Sequence, residues 1–72
     1  MNIAPLLKML NEIGLFFRSG ETSQQVPAAV AAHLRRYWEP RMRKSLVDYH
    51  LQHPGALSEF EASVVEALRK LE

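Results

Sequence analysis

Apolar residues three and four apart, interrupted by proline and small polar residues, decide what this chain can fold into. Ile3, Leu6, Leu7, Leu10, Ile13 and Phe17 recur at the spacing of one helix face, with Asn2 at the N-cap position and Pro5 in the first turn. SGETSQQ, residues 19 to 25, reads as a loop. A second helix is expected from Val26 to Trp38, with Pro27 in its first turn and Val30, Leu34 and Tyr37 or Trp38 on one side. Pro40 lacks a donor and pushes Glu39 out of the helical region, so a third helix should begin there, a kink being the alternative. It carries Met42, Leu46, Val47 and Tyr49 before the breaker QHPGA. Ser58 and Glu61 have capping-box spacing and open a fourth helix, with Val64, Val65, Leu68 and Leu71 on one face. Strand-type alternation is missing, and an all-α domain of three to four short helices, a small helical bundle, is expected.

Seventy-two residues without cysteine make one domain, residues 1 to 72, that disulfides cannot support. A core of this size supplies only ~3–5 kcal/mol, so association with a partner is a common remedy. A net charge of +1 is too mild to mark the whole chain as a nucleic-acid or membrane binder. Its apolar runs fall short of the ~18 residues of a membrane span and its start lacks a basic leader, so a cytoplasmic protein is expected.

Charge is concentrated in HLRRYWEPRMRKSL, residues 33 to 46, where five of the nine Lys and Arg residues surround Tyr37, the only tryptophan, Trp38, and Pro40. Arg35 and Arg36 fall in the last turn of the second helix, where the macrodipole favours each by about 0.3–1 kcal/mol. Arg41, Arg43 and Lys44 fall in the first turn of the third, where it opposes them. They are either a tolerated solvated face or a partner-binding patch. Trp38 is either a core residue covering the helix junction or an interface anchor, since Trp, Tyr and Arg are the residue types enriched at hot spots. Base stacking with phosphate contacts is the sharper rival. Glu39 inside the patch, the near-neutral charge and the lack of a DNA- or RNA-binding signature count against nucleic acid.

Other residues carry weaker signals. His50 and His53 do not complete a zinc set and read as surface histidines near a helix end. The serines show no nucleophile motif, so the chain is expected to lack a catalytic centre, a metal and a cofactor of its own. Gly14, mid-helix, implies the close approach of another helix, from this domain or a partner. Phe16 and Phe17 cannot both enter one narrow stripe, so one should be exposed.

Three segments, IAPLLKMLNEIGLFF, HLRRYWEPRMRKSL and ALSEFEASVVEAL, resemble the small delta subunit of soluble NAD-dependent, molybdenum-containing formate dehydrogenases. Leu6, Met9, Asn11, Ile13, Phe16 and Phe17 match its opening pattern L-x-x-M-x-N-x-I-x-x-F-F. His33, Arg35, Tyr37, Trp38, Glu39, Pro40, Arg41, Met42 and Arg43 match its central H-x-R-x-[FY]-W-[DE]-P-R-M-R. Residues 18 to 32 match in helical character alone, and HPGALSEF replaces the glycine-rich turn of family tails. The resemblance implies an accessory subunit without a catalytic centre. Its partner would be the large catalytic subunit, which carries the molybdopterin and iron–sulfur centres and oxidises formate.

The combined expectation is a helical accessory subunit that docks through its central turn, with Arg35, Tyr37, Trp38, Pro40, Arg41, Met42 and Arg43 binding the partner. The alternatives are a nucleic-acid-binding regulator using the same patch and a chain that pairs with a second copy of itself when isolated.

Overall fold

The computed structural model describes residues 2–72 and holds four α-helices among them: α1 Ile3–Phe17, α2 Val26–Tyr37, α3 Pro40–Gln52 and α4 Glu59–Leu71. The all-α expectation holds, and Pro40 starts a new helix. Each boundary has a local cause. Asn2 accepts a hydrogen bond from the Ala4 amide at 3.1 Å and opens α1. Trp38 leaves the helical region at φ −83°, ψ 145°, ending α2 one residue before the sequence expectation, and Pro40 takes the first position of α3, where its missing donor costs nothing.

Between α3 and α4 the Ala56 amide donates to the His53 carbonyl at 3.0 Å, and Gly55 sits at φ 84°. Pro then Gly inside such a turn is the type II pattern, which needs positive φ at the glycine. The capping box is complete: Ser58 Oγ accepts from the Glu61 amide at 3.1 Å, while the Ser58 amide donates to Glu61 Oε1 at 2.8 Å.

The most extensive helix pairing is α2 against α4. Leu10 of α1, Val30, Ala31 and Leu34 of α2, Leu46 of α3 and Val64, Val65 and Leu68 of α4 meet in a core closed to solvent. Each buried Val or Leu contributes about 1.5–3 kcal/mol relative to exposure. The radius of gyration, 11.1 Å, agrees with the roughly 11 Å of a well-packed chain of this length. Leu71, expected on the inner face of α4, is 45% exposed because the helix ends there.

Two contacts set α4 against α1. Gly14 is buried, and a Cβ on it would stand 2.7 Å from Phe60 Cζ, so the close approach inferred for this glycine is made by an aromatic ring of the same domain. The Arg18 guanidinium lies 5.1 Å from the centre of that ring. Nearby, Asn11 Nδ2 donates to Glu61 Oε2 at 2.7 Å and to the Leu7 carbonyl at 2.9 Å. Partial burial raises the Glu61 pKa, but hydrogen bonds from the Ser58 backbone, Asn11 and the Ser58 side chain outweigh it and hold the carboxyl below its ordinary value.

Candidate protein-docking site

The turn between α2 and α3 is built around Arg43. Its Nη1 donates to the Arg35 carbonyl at 2.6 Å and to the Trp38 carbonyl at 3.1 Å, satisfying oxygens that the end of α2 leaves open. Its Nε lies 3.3 Å from Glu72 Oε1, and its side chain is only 15% exposed. Arg35 Nε donates to the Leu71 carbonyl at 3.1 Å, which binds the end of α4 to the same place. Arg43 therefore opposes the dipole at the start of α3 while satisfying the negative end of α2.

Lys44 also has a local use, an ion pair with Asp48 at 2.6 Å one helical turn on. Of the three cations in the first turn of α3, Arg41 alone has no carboxylate partner among the described residues. It is exposed, and its carbonyl accepts from Ser45 Oγ at 3.0 Å.

Tyr37 and Trp38, adjacent in sequence, divide the two roles open to an aromatic here. Trp38 is half-buried and packs on the core, covering the α2–α3 junction. Tyr37 is 65% exposed. Met42 is half-buried and Pro40 exposed. The expected residues thus gather at one turn but differ in setting: Arg35 and Arg43 brace it, Trp38 seals it, and Tyr37, Pro40 and Arg41 face solvent.

A second grouping was not assembled from the sequence. Phe16 and Phe17 of α1 meet edge to face at 5.5 Å, Phe17 meets His33 of α2 at 5.8 Å, and His33 meets Tyr37 at 4.7 Å. Arg36 lies 5.5 Å from the Tyr37 ring centre. Phe16 is 75% exposed and Phe17 half-buried, as the pairing of the two required. FF and HLRRY belong to separate sequence blocks, and the row exists only because α1 and α2 lie side by side. His33 and Tyr37, four residues apart, share one face of α2.

His50 departs from its expected place as a simple surface histidine. It is half-buried, and its Nε2 lies 3.0 Å from Glu66 Oε2, joining α3 to α4. Hydrogen bonds from Arg69 and then His50 hold the Glu66 carboxyl below its ordinary pKa. Among the described residues no group of three or more His, Cys, Asp or Glu stands together as a metal site.

The model of the NADH-dependent formate dehydrogenase delta subunit family matches residues 5–68 of the chain. The chain belongs to that family. No curated protein and no solved structure matches it. The match runs from Pro5 in the first turn of α1 to Leu68 in α4, so it takes in α2 and α3 whole and most of α1 and α4. Among the described residues, no helix of this delta-subunit family member is long and apolar enough to cross a membrane.

Proposed function

We propose that this chain is a non-catalytic accessory subunit that works in the cytoplasm. It binds the molybdenum- and iron–sulfur-bearing catalytic subunit of formate dehydrogenase and stabilises it or helps it assemble. Family membership supplies the enzyme system. The observation that carries the docking role is the α2–α3 turn. It is braced from within by Arg43, yet presents the exposed Tyr37 and the exposed Arg41, which has no carboxylate partner among the described residues.

A braced turn loses little conformational entropy on binding, which favours affinity. Tyr37 supplies apolar contact area, and Arg41 suits a carboxylate or backbone carbonyl of the partner. The exposed Pro40 and half-buried Met42 belong to the same turn, while Trp38, Arg35 and Arg43 hold its shape. The test is coexpression of the tagged chain with the catalytic subunit from the same source. Capture by the wild type and loss of capture by Arg41→Glu support the reading, and equal capture by both removes Arg41 from the contact.

A further inference from the structure

We propose that the α1–α2 face is a second docking surface of this subunit, on which Phe16, His33, Tyr37 and Arg36 receive an apolar, carboxylate-bearing segment of the partner subunit. The inference rests on the accessory-subunit reading above and adds both a place and a partner chemistry to it.

The row Phe16–Phe17–His33–Tyr37 borders a shallow groove lined by Phe17, Ala29, Ala32, His33, Arg36 and Tyr37. Alanines leave room for an incoming side chain, and the rings flank it. Phe16, at 75% exposure, and Tyr37, at 65%, are large apolar groups that core packing does not require. Charge selects the occupant. The whole of α2, VPAAVAAHLRRY, contains no carboxylate, and its exposed Arg36 lies over the Tyr37 ring without an acidic partner among the described residues.

An apolar side chain in the groove with a carboxylate on Arg36 matches both features. A nucleic acid would need several cations along its path to neutralise successive phosphates, and Arg36 is the one Lys or Arg among the residues that line the groove. The carboxylate of α1 nearest to Phe16 in sequence is Glu12, one turn earlier, so the acid of the partner is placed at the Arg36 end.

The test titrates the purified catalytic subunit with the wild-type chain, Phe16→Asp and Arg36→Glu, at low and moderate salt. Thermal melts check that each variant is folded; both positions are exposed. Each variant is expected to weaken binding at least about thirtyfold, the scale of an interface hot spot. Added salt is expected to weaken the wild type more than Arg36→Glu. Folded variants that bind as tightly as the wild type overturn this surface and leave the proposed function standing. A wild-type chain that binds no formate dehydrogenase subunit contradicts the proposed function, and this inference falls with it. Sedimentation showing that the face instead pairs two copies of the chain, or a gel shift with RNA that Arg36→Glu abolishes, also overturns it.

Discussion

Asn11 and Glu61, fifty residues apart, meet at 2.7 Å and join the middle of α1 to the first turn of α4. The Glu61 carboxylate uses one oxygen for the Ser58 amide and the other for Asn11, so one side chain serves a helix cap and a tertiary contact. Hydrogen bonds to the charged form hold its pKa below the ordinary 4.5. A lowered folded-state pKa gives stability that is present above 4.5 and lost as pH falls through the folded value. The melting temperature of the wild type is expected to exceed that of Glu61→Gln at pH 7, with the gap closing below about pH 4.5. A gap that stays constant down to pH 3 contradicts this role for the charge.

Gly14→Ala sets two effects against each other. Alanine favours a helix interior by about 0.5–1 kcal/mol, but here its Cβ would stand 2.7 and 2.9 Å from Phe60 and displace the ring. Displacement is expected to win, lowering stability by about 1 kcal/mol. In a Phe60→Ala background the obstruction is gone, and the same substitution should stabilise by about 0.5 kcal/mol. Denaturant melts of the four proteins measure the change of sign.

Arg43 is expected to matter to the free domain more than any other cation of the central patch. Arg43→Ala leaves the carbonyls of Arg35 and Trp38 without their donor and should cost about 2 kcal/mol. Lysine, lacking the planar fork, should restore only part of it. Arg41→Ala should change the stability of the isolated chain by less than about 0.5 kcal/mol.

Tyr37 and Trp38 are expected to separate binding from folding. Trp38→Ala should lower the stability of the free domain by about 2 kcal/mol or more through lost packing. Tyr37→Ala should leave stability nearly unchanged and weaken the complex by about 2 kcal/mol. Calorimetry of the isolated variants beside a binding titration reads both.

Much of this fold was legible in the sequence because its helix boundaries are written in local chemistry. Asn2, Pro27, Pro40 and the Ser58–Glu61 pair mark starts whose physical reasons operate within a few residues. Gly14 and the Phe16–Phe17 pair were equally readable, since each states a local conflict that tertiary packing must resolve. The family patterns were legible for another reason, as ordered blocks rather than as physics.

The use of each arginine was harder to read. Arg41, Arg43 and Lys44 look alike as a run of charge, yet Arg43 reaches back across the turn to α2, Lys44 pairs along its own helix, and Arg41 stays free of carboxylates among the described residues. That division depends on how α2 crosses α3, which periodicity does not encode. The ring row from Phe16 to Tyr37 was hidden likewise, because it needs the relative placement of α1 and α2. Phe60, whose ring covers Gly14, precedes the stronger apolar run of α4, and nothing local to it marks the contact with α1.

Size-exclusion chromatography after coexpression of this chain with the catalytic subunit of its formate dehydrogenase tests the central claim most directly. The accessory-subunit account predicts that the chain elutes with the large subunit at a fixed ratio, and that Arg41→Glu, though folded, elutes alone. A folded wild-type chain that elutes apart from an intact large subunit would contradict it.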